Sequence, residues 1–96
     1  MEKDWEQYIE VEKDTVVAEL EAEGFEIAKE GMFVSGFWNV ILKRGDERVE
    51  LSCSAIEQDE VDKGAITPEN AEWWVQLIVV WDAKDSEGTR RTYPED

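Results

Sequence analysis

The sequence predicts an α+β domain in which an N-terminal helix, broken near residues 11–14, packs on one face of an antiparallel sheet of about four strands. Three observations lead there. Apolar residues recur at helical spacing up to Gly24 and at alternating spacing beyond it. Turn residues then punctuate the chain at short intervals. Finally, 96 residues with 42% hydrophobic content and five Trp suit one packed domain, residues 1–96, and are too apolar for disorder.

Taken in order, Trp5, Tyr8, Ile9, Val16 and Leu20 fall on one face of a 3.6-residue helix, but Glu12 falls in the middle of that face. A carboxylate there would be buried alone, so the helix is expected to break between Val11 and Asp14. Asp14 then caps a second helix that turns Val16, Val17 and Leu20 inward and ends at Gly24. Phe25 and Ile27 begin the alternating pattern, and a long aromatic and β-branched run follows from Met32 to Leu42. Lys43-Arg44-Gly45-Asp46-Glu47 reads as a turn. The next strand sets Val49, Leu51, Cys53 and Ala55 on one face and Arg48, Glu50, Ser52 and Ser54 on the other. Residues 57–72 form an acidic connection in which Thr67-Pro68-Glu69 has the pattern of a single helical turn. Trp73 to Trp81 is the strongest strand, and Asp85-Ser86-Glu87-Gly88 turns the chain into a last short strand around Thr89 to Tyr93.

Strict alternation in the strand from Trp73 would put Trp73, Val75, Leu77, Val79 and Trp81 on one side and Trp74, Ile78 and Val80 on the other. Both sides are then apolar, while the helices suffice to cover one. The second face is expected to meet a long loop, another copy of the chain or a target.

Charge carries most of the functional information. Twenty-five Asp and Glu stand against ten Lys and Arg, with no His, for a net charge of −15. The excess is −8 over residues 1–30, −5 over 57–72 and zero over 31–56. Such self-repulsion opposes compactness, so a basic partner, solubility or a saline environment is expected to maintain it. Glu outnumbers Asp 17 to 8 and six Lys remain, which fits salt adaptation poorly. Direct binding of nucleic acid or of anionic membranes needs clustered cations and is not expected.

Catalysis is not expected either. Without His there is no Ser-His or Cys-His pair and no imidazole ligand, and a small sheet domain offers little cleft for a carboxylate pair. Residues 57–64 are carboxylate-dense but lack the spacing of a calcium loop, and the six glycines are scattered, so neither metal nor cofactor is expected. The single cysteine, Cys53, precludes an internal disulfide and reads as a small buried hydrophobe. No apolar run approaches the length of a membrane span, about 18 residues or more, and Met1-Glu2-Lys3-Asp4-Trp5 does not resemble a signal peptide. A cytoplasmic protein is expected, in the host-cell cytoplasm if phage-encoded.

Glu2, Glu6, Glu10 and Asp14 recur every fourth residue, and on a helix would form one stripe at about 5–6 Å intervals. Glu19, Glu23, Glu26 and Glu30 continue a similar spacing, and Glu57, Asp59, Glu60 and Asp62 add a second acidic row. Such rows have a repeat of the order of the phosphate spacing in a nucleic-acid strand. They are expected to compete for the basic groove of a nucleic-acid-binding protein, with Trp74 and Ile78 as an apolar anchor. An ordinary solvated helix face remains the alternative.

Pro68-Glu69, then Trp73 with its apolar strand, then Asp85-Ser86-Glu87-Gly88 before a basic final strand, resembles the C-terminal part of the phage uracil-DNA glycosylase inhibitors. The family's Glu-Ser-Ile edge strand has only partial counterparts here, in Glu50-Leu51-Ser52 and Ser54-Ala55-Ile56. The resemblance implies a DNA-mimicking inhibitor that receives an apolar side chain of its target in a pocket, with Trp74, Ile78 and Val80 as candidates to form it. Three readings stay open: a phage or mobile-element counter-defence inhibitor, an immunity protein or antitoxin against a basic toxin, and a homodimeric adaptor whose acidity serves solubility.

Overall fold

The computed structural model describes residues 4–34, 36–82 and 89–94. Among the described residues there are two α-helices, two short 3₁₀ turns and a five-stranded sheet. The helices are α1 (Lys13–Ala22) and α2 (Gln58–Asp62), and the strands are β1 (Glu26–Val34), β2 (Phe37–Arg44), β3 (Glu47–Ala55), β4 (Trp73–Asp82) and β5 (Thr89–Tyr93). All neighbouring strands are antiparallel in the order β1-β2-β3-β4-β5. The α+β class is as the sequence predicts, with one strand more. The long run from Met32 to Leu42 holds a hairpin, in which Val34 pairs with Phe37 and Gly36 takes φ 87°. Between β2 and β3, Gly45 at φ 58° leads a two-residue connection joining Arg44 to Glu47, the residue pattern of a type II′ hairpin. Among the described residues no helix is long and apolar enough to cross a membrane.

The N-terminal break falls slightly earlier than its expected place. Trp5–Tyr8 forms one 3₁₀ turn, Glu10 has φ 65°, and the chain then runs extended along β4. The Glu10 amide donates to the Val75 carbonyl at 2.7 Å and the Val75 amide to the Val11 carbonyl at 2.9 Å. Pairing with the sheet edge satisfies backbone groups that a continuous helix would have satisfied internally, and it leaves Glu12 exposed. α1 begins directly after Glu12, so Asp14 is a first-turn residue and not the cap. There its carboxylate favours the helix dipole and pairs with Lys13 Nζ at 3.2 Å. At the other end Gly24, at φ 99°, lets the Phe25 amide reach the Leu20 carbonyl at 3.0 Å. This six-to-one closure is a Schellman ending with Leu20 and Phe25 both in the core.

The core lies between the helical segment and one sheet face. Trp5, Tyr8, Val16, Val17, Leu20 and Phe25 pack onto Val40, Leu42, Val49, Leu51, Cys53, Ala55, Trp73, Val75 and Ile78. Each fully buried Leu or Ile contributes roughly 1.5–3 kcal/mol relative to exposure. Arg44 ties helix to hairpin: its Nη1 donates to the Glu23 carbonyl at 2.8 Å, and its Nε and Nη2 to Glu47 Oε1 at 3.1 and 3.0 Å. Its guanidinium also lies 4.3 Å from the Phe25 ring centroid.

One irregularity corrects the expected faces of β4. Cys53 pairs with Val75 and Ser52 with Leu77, so Gln76 is the extra residue of a β-bulge. The bulge reverses the alternation after Val75. Trp73, Val75, Ile78 and Val80 therefore share the helix-covered face, with Leu51 opposite Ile78 and Val49 opposite Val80, whereas Trp74, Leu77, Val79 and Trp81 look the other way. Ile78 is fully buried and cannot form an anchor with Trp74. Val80 is likewise turned to the core side.

Candidate functional site

The N-terminus of α1, the middle of β1, the start of β2, and the segment from residue 69 to Trp73 converge at one end of the molecule. Together they enclose a cleft of about 190 Å³ lined by Glu12, Lys13, Asp14, Glu30, Trp38, Glu69, Ala71, Glu72 and Trp73. The local folding explains each position. The turn into α1 brings Glu12, Lys13 and Asp14 to the rim. A second β-bulge at Ala28, between the pairs Ile27↔Leu42 and Lys29↔Ile41, turns Glu30 to the helix-covered side beside Val40. Pro68 opens the 3₁₀ turn Pro68–Asn70, after which Glu72 and Trp73 lead into β4.

Trp38 and Trp73 are neighbours, with ring centroids 5.7 Å apart at 35°. Trp38 Nε1 donates to Glu30 Oε2 at 3.3 Å. Lys13 Nζ stands 5.3 Å from the Trp38 ring centroid, and its side chain is only 15% exposed. The cleft therefore joins five carboxylates to an indole wall, with a single ammonium among its lining residues. This chemistry suits a guanidinium or ammonium group, which aromatic faces and carboxylates attract together. Beneath it Cys53, which pairs with Trp38, has its thiol pushed up to about 12 by burial, while Lys13 pulls it down and Asp14 pushes it up.

A second hollow of about 260 Å³, lined by Ile56, Glu57, Ile66, Asn70, Ala71 and Glu72, adjoins the first through Ala71 and Glu72. The Ile56 amide donates to the Glu72 carbonyl at 3.1 Å and holds the two regions together. Hence the acidic α2 region and the N-terminus of α1 flank the same short segment, although more than forty residues separate Asp14 from Glu57.

The expected contact residues fare unevenly. Glu6, Glu10, Asp14, Glu57, Asp59, Glu60 and Asp62 are exposed, Trp74 is 39% exposed, and Glu2 lies outside the described residues. The regular stripe does not form, because Glu6 is on the 3₁₀ turn, Glu10 in the extended segment and Asp14 on α1. Nor does its continuation, since Glu26 and Glu30 belong to β1 and face opposite sides of it. Sequence reasoning did not single out Trp38, Trp73, Glu69 and Glu72 for this cleft. The adjacency of Glu69, Glu72 and Trp73 to a proline-led turn was the visible signal. Glu30 and Trp38 needed the β1–β2 hairpin to be recognised first.

Among the described residues no group of three His, Cys, Asp or Glu side chains is placed to hold a metal ion. The resemblance drawn from residues 68–93 rests partly on Asp85-Ser86-Glu87-Gly88, which lies outside the described residues. No protein-family model, curated protein or solved structure matches the chain.

Proposed function

We propose that the chain is a non-enzymatic inhibitor that binds a basic nucleic-acid-binding protein and competes with its nucleic acid. The observation that carries this reading is the cleft, where Glu12, Asp14, Glu30, Glu69 and Glu72 gather from separate parts of the chain around Trp38 and Trp73. A lysine or arginine that normally contacts phosphate enters beside the indoles and meets the carboxylates, while the exposed acids of α2 and of the N-terminal segment engage neighbouring cations. Mimicry of nucleic acid then rests on a concentration of carboxylates around an aromatic wall, not on a helical row with constant spacing. A basic nuclease toxin belongs to the same target class.

Affinity capture from a lysate at low salt, followed by elution with duplex DNA, tests the reading. A basic nucleic-acid enzyme is expected in the DNA eluate, and the triple charge reversal Glu30→Lys, Glu69→Lys, Glu72→Lys is expected to abolish its capture with the fold retained by circular dichroism. Capture unchanged by that triple reversal, or a captured protein that DNA fails to displace, would refute it.

A further inference from the structure

Among the described strand side chains, the sheet face away from the helices carries more cations than anions. Cross-strand register sets Glu26, Lys43, Arg48, Trp81 and Arg90 in one row from β1 to β5, with Glu26 at the β1 end and three cations beyond it. Lys29 on β1 shares this face, against which stand only the carboxylates Glu26 and Glu50 among the described strand side chains. Four cations facing two anions is a local excess of positive charge in a chain of net −15. Lys43 and Arg48 are directly opposite each other, an arrangement that costs stability. Neither they nor Arg90 form an ion pair with any described residue. Arg48 and Arg90 lie 4.8 and 5.4 Å from the Trp81 ring centroid and come from the strands on either side of it. Beyond this row the face is mixed, with Leu77, Trp74 and Phe37 exposed among Asn39, Ser52 and Ser54.

We infer that this face docks an extended peptide segment of a partner protein in which carboxylates precede or follow apolar side chains on the same side of the segment. Guanidinium groups held against an indole keep their N–H edges turned outward, in the geometry that grips a carboxylate with two hydrogen bonds. The apolar side chains of the segment cover Leu77 and Trp74. A nucleic-acid strand fits less well, because both flanks of Trp81 are taken by cations and its ring is not free for a base to stack upon. A second copy of the chain would bring its own charge of −15, whereas a short segment brings only a few charges across a screening length of about 8 Å at physiological salt. The inference is independent of the acidic cleft on the other side.

The probe is a fluorescein-labelled peptide of the pattern Glu-Ser-Glu-Ser-Leu-Ser-Leu, which in an extended chain sets Glu and Leu on one face, titrated with the protein and followed by anisotropy, with its Gln-for-Glu counterpart alongside. Saturable binding is expected. It should weaken about tenfold or more in the double variant Arg48→Gln, Arg90→Gln and in Trp74→Ser, Leu77→Ser, yet persist in Glu30→Gln, Glu69→Gln, Glu72→Gln. Circular dichroism and thermal melting confirm that each variant is folded. Four results overturn the inference: no binding by the natural chain at millimolar peptide, equal binding of the Gln peptide, preferential binding of oligothymidylate, or a dimer by sedimentation that the arginine double variant abolishes.

Discussion

Ile78 and Trp74 show how one side chain's environment follows from its neighbours' register. Ile78→Ala should cost about 2–5 kcal/mol, because it removes methyl groups from a site with no solvent access. Trp74→Ala should stay within about 1 kcal/mol, and urea unfolding of the two variants measures the contrast. Alternation in the sequence assigned both residues to one face, and nothing in Trp73–Asp82 marks Gln76 as the residue that breaks it. Bulges arise from the fit between two strands, which a single strand's sequence does not encode. Cys53 was legible, by contrast, since its apolar setting on β3 matches its complete burial. With its thiol pushed up to about 12, it should resist alkylation in the native protein at pH 8 and react once urea unfolds the chain. Its raised folded value gives a contribution to stability that is complete below the unfolded value of 9.0 and is lost as pH rises towards about 12. Unfolding free energy measured across that window should fall accordingly.

Among the elements, α1 and β3 were the most legible, because each has a single wet face and a clean period. The Gly24 ending also followed from sequence, since a left-handed residue after the last apolar position has few substitutes. The β1–β2 hairpin was hidden by apolar residues on both sides of Ser35-Gly36, which made two strands read as one. α2 was hidden by its acidity: five residues with no buried side chain carry no periodic signal. Arg44 joins elements distant in sequence, and its role needed the structure. Arg44→Ala should destabilise the protein by about 1–3 kcal/mol, seen as a lower thermal midpoint, since the Glu23 carbonyl and Glu47 both lose their donor. The candidate cleft was half legible for a similar reason. Its acids were visible as a surplus, but their convergence depends on the bulge at Ala28 and on the segment after Pro68.

On the scale of the whole molecule the net charge of −15 opposes folding through mutual repulsion. Raising NaCl from about 0.01 M to about 1 M shortens the screening length from about 30 to about 3 Å, so the urea midpoint should rise with salt. Binding of the basic partner proposed above should weaken over the same range. Opposite salt trends for stability and for affinity separate self-repulsion from recognition, and identical trends would contradict the proposed electrostatic binding.

The row of Lys43, Arg48 and Arg90, with the carboxylate-rich cleft behind the same sheet, has a consequence before any contact is made. Among the described residues, two charge distributions of opposite sign on the two sides of one sheet contribute a dipole across it. In the field of the basic partner proposed above, such a dipole would experience a torque and turn the protein before contact. On that proposal, recognition would begin during diffusion, and encounters in the productive orientation would be more frequent than random tumbling allows.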